Sequence, residues 1–216
     1  MTTIPLSLTH IIRPSDRTDK APLILMLHGY GSNENDLFSF ADYLPKKYTI
    51  ISVRAPYLLQ PMGNAWYAIN FDADSKKFND NDQAISSREK IKLFIKEAIE
   101  AYNIDLNDVT LLGFSQGTIL SFATALTYPE LVKKVIGLSG YIDTNMINFG
   151  DKEKLKSLKI FSSHGTMDQV IPINWARKTP DILKNHDIDC EYMEFASGHG
   201  VNQDNFEALL SWLEKN

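Results

Sequence analysis

Apolar residues run almost unbroken through Pro22 to His28, Tyr48 to Val53, Val109 to Leu112, Lys134 to Ser139 and Leu158 to Ser163. Runs this short, with no polar alternation, predict strands covered on both faces, as in a parallel sheet beneath helices. Ile188 to Phe195 reads as a further strand, and Thr3 to Arg13 alternates weakly, which suits an edge strand leading into the Pro14-Ser15-Asp16 turn.

Helical spacing separates these runs. Ile91, Phe94, Ile95, Ala98, Ile99 and Tyr102 form one stripe of a helix from Ser87 to Tyr102, opposite Lys92, Lys96, Glu97 and Glu100. Ile119, Leu120, Phe122, Ala123 and Leu126 mark a second, ending before Pro129. Asn33 to Asp36 can cap a short helix through Leu44, Ile173 to Leu183 predicts a helix that Pro180 kinks or shortens, and Asn205 to Leu213 the closing helix. Strands alternating with helices predict a mostly parallel, doubly wound α/β sheet with helices on both faces, in one domain over residues 1–216. Only Ala55 to Ser86 lacks a sustained period, and a loop that long is expected to overlie a site.

Composition narrows the possibilities. At 216 residues, 44% hydrophobic and 23% charged, the chain can bury one large core. A net charge of −5 with no dense Lys/Arg run disfavours nucleic acid as a partner. The single cysteine, Cys190, excludes an internal disulfide and any cysteine-cluster zinc site, and reads as a small buried hydrophobe. No signal peptide or bilayer-length apolar run is visible, so a cytoplasmic protein without stable membrane insertion is expected, and a homodimer is compatible with the chain.

The candidate chemistry centres on Gly113-Phe-Ser-Gln-Gly117, which links the Val109 to Leu112 strand directly to a helix. A strand-to-helix turn this tight leaves no room for a Cβ at either glycine, and it lifts the Ser115 hydroxyl above the sheet as a nucleophile elbow. A serine hydroxyl needs a neighbouring base, and the base a partner that fixes its tautomer. Of the five histidines, His199 lies in a glycine-rich turn between the last strand and the last helix and is the expected base. His28 and His164 each precede a glycine at a strand end and are read as local hydrogen-bonding groups, His10 as an edge-strand residue and His186 as a surface one.

Asp168, just beyond the strand that precedes the histidine's own, is the favoured acid, with Asp143 one strand earlier as its rival. Two main-chain donors suit the oxyanion of a tetrahedral intermediate: the N–H of Gln116, directly after the serine, and that of Tyr30, in the Gly29-Tyr30-Gly31 turn. Trp66 and Tyr67, helped by Met62 and Phe71, are expected to wall the substrate site. A metal site built on His28, His164 and His199 lacks a compact ligand motif.

With these pieces assembled, the chain resembles the carboxylesterase, phospholipase and acyl-protein thioesterase group of α/β-hydrolases. The anchors are Leu27-His-Gly-Tyr-Gly31, Gly113-Phe-Ser-Gln-Gly117, His164-Gly-Thr-Met-Asp168 and Gly198-His199, spread over nearly the whole chain. The resemblance implies an α/β-hydrolase fold without a large cap, acting on small-molecule esters or thioesters with no metal or organic cofactor. It implies Ser115, Asp168 and His199 as the triad, and Tyr30 and Gln116 at the oxyanion positions. Two departures stand out. Thr118 replaces a second glycine common after the elbow, and Trp66-Tyr67-Ala68 stands where acyl-protein thioesterases tend to have Trp-Phe-Asp. The second draws the chain toward the bacterial carboxylesterases. The expected activity is a serine carboxylesterase, with thioesterase or lysophospholipase action as the alternative and a catalytically silent binding protein as the rival from another class.

Overall fold

The computed structural model describes residues 4–71 and 77–216, with the backbone alone described at 71, 77 and 78. In chain order the strands are β1 (His10–Arg13), β2 (Ala21–Leu27), β3 (Thr49–Val53), β4 (Tyr57–Leu58), β5 (Asn64–Ala65), β6 (Ile69–Phe71), β7 (Lys77–Asn79), β8 (Ile104–Phe114), β9 (Lys134–Leu138), β10 (Lys159–Gly165) and β11 (Cys190–Phe195). The helices are α1 (Asn81–Ala101), α2 (Gln116–Thr127), α3 (Lys152–Leu155), α4 (Ile173–Ala176), α5 (Thr179–Lys184) and α6 (Gln203–Lys215). Seven strands form one sheet in the order β1-β3-β2-β8-β9-β10-β11. Only the β1–β3 edge pair is antiparallel; every other neighbouring pair is parallel.

The continuous hydrophobicity of the central strands has the expected cause. Every residue of β2 is buried, and its side chains alternate between two cores. Leu23, Leu25 and Leu27 pack on one face with Phe94 and Ile95 of α1 and Leu120 and Phe122 of α2, while Ile24 and Met26 pack on the other with Leu209, Trp212 and Leu213 of α6. At about 25 cal/mol per Å² of apolar surface, such two-sided burial is the main term holding the layers together.

Several boundaries differ from those expected. α1 begins at Asn81, six residues before Ser87, because Asp80 caps it by accepting from the Gln83 N–H at 3.0 Å. The segment from Asn33 to Leu44 holds only a short 3₁₀ turn, Leu37–Phe40. Pro180 divides the expected helix into α4 and α5, sitting in the first turn of α5, where its missing N–H costs nothing. β1 occupies only the end of the Thr3 to Arg13 segment, whose residues 1–3 lie outside the described part. Within the supposedly irregular Ala55 to Ser86 stretch, two small antiparallel ribbons form, β4–β5 and β6–β7.

Candidate active site

The candidate residues all follow C-terminal ends of parallel strands, the edge at which open α/β sheets place ligands. Ser115 follows β8, the Gly29-Tyr30 turn follows β2, Asp168 follows β10 and His199 follows β11.

Ser115 occupies φ 53°, ψ −116°, a region that side-chain-bearing residues rarely adopt. Its surroundings enforce it. The Ser115 N–H donates to Leu138 O at 2.9 Å, its carbonyl accepts from Thr118 and Ile119, and a Cβ on Gly117 would overlap the Leu27 carbonyl. Thr118, at the departure from the family pattern, braces the turn: its Oγ1 lies 2.7 Å from both Gly113 O and Leu138 O and accepts from the Leu138 N–H at 2.9 Å.

His199 reaches Ser115 from the next loop. Its Nε2 is 3.0 Å from Ser115 Oγ and its Nδ1 2.7 Å from Asp168 Oδ2. A carboxylate only accepts, so the Nδ1–H donates to Asp168 and the Nε2 lone pair faces the serine hydroxyl. Burial alone would raise the Asp168 pKa, but hydrogen bonds from His199 and from the Ile171 and Val170 N–H groups outweigh it, and the carboxyl sits below its ordinary value. Those N–H groups contact Oδ1 at 2.9 and 2.8 Å, holding the carboxylate edge toward the imidazole. The two loops are zipped together by Thr166 N–H to Phe195 O and Met167 N–H to Ser197 O.

The remaining histidines and the rival acid are engaged elsewhere. His164 is fully buried, with Nε2 3.0 Å from Ile171 O and 3.2 Å from Asp168 Oδ2. His28 Nδ1–H donates to Gly29 O at 2.7 Å and its Nε2 accepts from the Ala55 N–H at 3.0 Å; burial pushes its pKa down, keeping it neutral. His10 lies in the edge strand β1, as expected, and is buried there, with Nε2 2.6 Å from the Tyr102 hydroxyl. Asp143 accepts from Asn79 at 3.1 Å and from Asn145, away from His199. Among the described residues, no cluster of three metal-ligating side chains exists.

A cavity of about 250 Å³ opens on Ser115 and His199, walled by Tyr67, Ile69, Phe114, Ile119, Tyr141 and Ile171 and bordered by Gly29, Tyr30 and Gln116. The Gln116 N–H opens α2 and so has no acceptor within the helix, and the Tyr30 N–H has no main-chain acceptor among the described residues. Of the expected walls, Tyr67 lines the cavity. Trp66 does not: it is fully buried behind the wall, its indole N–H donating to His28 O at 2.9 Å. Met62 is also corrected, being 77% exposed and outside the lining, because Gly63 and the β4–β5 ribbon turn it to solvent. The Phe71 side chain lies outside the described residues. Sequence reasoning missed Asn79, Tyr141 and the side chain of Gln116. The position of Tyr141 three residues beyond β9 was the one available signal.

A seven-stranded, mostly parallel sheet carrying a serine, an aspartate and a histidine on the loops after β8, β10 and β11 is the architecture of an α/β-hydrolase. The chain belongs to the phospholipase/carboxylesterase family, whose model matches residues 8–216. It is 27% identical to acyl-protein thioesterase 1 of Mycosarcoma maydis over 232 residues, 96% of each chain. It is 22% identical to the putative hydrolase MhqD of Bacillus subtilis, over 89% of this chain and 92% of that one. Among solved structures, esterase PE8 shares the fold with a TM-score of 0.83 at 23% identity, covering 97% of this chain and 99% of that one. The Bacillus cereus carboxylesterase does so at 0.83 and 22%, covering 96% and 94%. No helix among the described residues is long and apolar enough to cross a membrane.

Proposed function

We propose that this protein is a serine hydrolase that cleaves small carboxylic esters through an acyl-enzyme. The observation that carries the reading is the unbroken chain from Ser115 Oγ through His199 to Asp168, with steps of 3.0 and 2.7 Å. Ser115 Oγ attacks the ester carbonyl while its proton passes to His199 Nε2. The imidazolium is stabilised by Asp168, which keeps its negative charge, and it returns the proton to the departing alkoxide. A water then repeats the sequence on the acyl-enzyme, with His199 as base and Ser115 as leaving group.

The oxyanion of each tetrahedral intermediate takes hydrogen bonds from the Tyr30 and Gln116 N–H groups, each worth roughly 3 to 4 kcal/mol of barrier in such sites. Helix α2, twelve residues long and beginning at Gln116, adds its positive end to the same point. A cavity of about 250 Å³ favours short acyl groups, being smaller than the ~300–1,000 Å³ typical of ligand clefts.

Thioester hydrolysis on the same residues is the second reading, favoured by the names of the fungal relatives. A fluorophosphonate tests the shared core of both. It should phosphonylate Ser115 with loss of fluoride, adding one phosphonyl mass to the wild type and none to Ser115→Ala. Absence of labelling in an otherwise folded wild type, or labelling of the variant, would contradict the proposal. Turnover should also survive a chelator, since no step involves a metal.

A further inference from the structure

The segment that walls the cavity is wired, on its hidden side, to both ends of the oxyanion site. Gln116 supplies one proposed donor from its main chain. Its side-chain amide meanwhile grips the wall, with Oε1 accepting from the Trp66 N–H at 2.8 Å and Nε2 donating to Tyr67 O at 2.8 Å. The turn that carries the other donor is framed by the same segment. Trp66 donates its indole N–H to His28 O at 2.9 Å, Gly31 donates to Asn64 O at 2.9 Å, and Asn64 donates to Ser32 O at 2.8 Å. Tyr30 sits between these contacts. Gly63, at φ +93°, crosses so close that a Cβ would overlap the Gly31 carbonyl.

Such bracing answers a geometric need. The two donors stand on different strands, and the last ladder pair joining β2 to β8 is Leu27 with Gly113. Tyr30 and Gln116 each lie three residues beyond it, where no sheet hydrogen bond fixes their separation. Trp66, Tyr67, Gln116 and His28 are all buried, so solvent does not replace these contacts when they are lost. Ser87 completes the clamp by donating to Trp66 O at 2.5 Å from α1.

We propose that the segment Asn64 to Tyr67 is a brace that sets the spacing and aim of the two oxyanion donors, with the Gln116 side chain and the Trp66 indole as its positioning residues. The proposal rests on the acyl-transfer reading above. Tyr67 thus presents its ring to substrate while its carbonyl holds the residue that stabilises the transition state.

The test compares Gln116→Met, which keeps the main-chain N–H and roughly the shape but loses both side-chain hydrogen bonds, with Trp66→Phe. Each is assayed on a nitrophenyl ester and for inhibition by a trifluoromethyl ketone, whose adduct with Ser115 carries the oxyanion. Displacing a donor by a fraction of an ångström to about 1 Å should lower kcat roughly tenfold to hundredfold. KM should stay within a few-fold, and the ketone's affinity should fall in parallel with kcat. The double variant should lose less than the product of the single losses, since both act through one brace.

A purely structural tether would instead lower the melting temperature while leaving kcat and ketone affinity near wild type in the folded fraction, and that result overturns the proposal. Loss confined to KM overturns it as well. If Gln116→Met does not fold, Trp66→Phe alone carries the same comparison. Inactive wild type, or active Ser115→Ala, would instead sink the hydrolase reading on which the proposal stands.

Discussion

The imidazole of His199 spans Ser115 and Asp168, 3.0 Å from the hydroxyl oxygen on one side and 2.7 Å from the carboxylate on the other. On the proposed mechanism, His199→Ala removes the base and Asp168→Asn presents the imidazole in the wrong tautomer. Both should lower kcat by about a thousandfold or more with circular dichroism unchanged. Asp143→Asn should leave most of the turnover intact, because Asp143 bonds Asn79 and Asn145 instead. Near wild-type turnover in Asp168→Asn would move the acid to Asp143.

Why the chain announces this much is visible in particular residues. β2, β3 and β9 are buried on both faces and therefore mostly apolar, with Thr49, Ser52 and Lys134 the polar exceptions, and Gly113 and Gly117 are required by backbone contacts. Those constraints leave a direct imprint on residue type. Other features leave none. The first turns of α1 bury Ala84 and Ser87 rather than large apolar residues, so no stripe marks them. Trp66 and Tyr67 are adjacent and both aromatic, yet in the bend between β5 and β6 Tyr67 lines the cavity while Trp66 turns its indole N–H to His28 O behind it. The side chain of Gln116 bonds main-chain groups fifty and forty-nine residues away, a pairing that only the folded loop creates.

Thr118 tests the elbow's mechanical support. Thr118→Val keeps the shape but deprives the buried Leu138 N–H of its Oγ1 acceptor, which should cost about 1 to 3 kcal/mol. Urea denaturation should show a lower midpoint with the same slope. An unchanged midpoint would mean that the hydroxyl contributes nothing to the turn.

Acid should weaken the fold through carboxylates held below their ordinary values. Hydrogen bonding from Arg54 lowers Glu34, and, against the opposing effect of burial, His199 and two main-chain N–H groups lower Asp168. A carboxyl depressed in the folded state stabilises above its unfolded value, near 3.9 for Asp and 4.3 for Glu, and that stability is lost as pH falls through the folded value. Unfolding midpoints should therefore start to fall below about pH 6.5, where unfolded His28 takes up a proton that the buried ring resists, and decline further below about 4, the second decline being shallower in Asp168→Asn. An equal or steeper decline in the variant would contradict the assignment.

Cys190 should be inert in the folded protein, since burial pushes its thiol up to about 12. A disulfide reagent at pH 8 should titrate no thiol in the native state and the single thiol in urea. Rapid native-state labelling would contradict that, the half-buried thiol at the start of β11 being reactive where it stands.

The most direct measurement is hydrolysis of a short-chain and a long-chain nitrophenyl ester by wild type and Ser115→Ala prepared together. The account predicts turnover by wild type with a preference for the short chain, and loss of about a thousandfold or more in the variant. Equal activity in Ser115→Ala, or a folded wild type inactive on both esters, would contradict it.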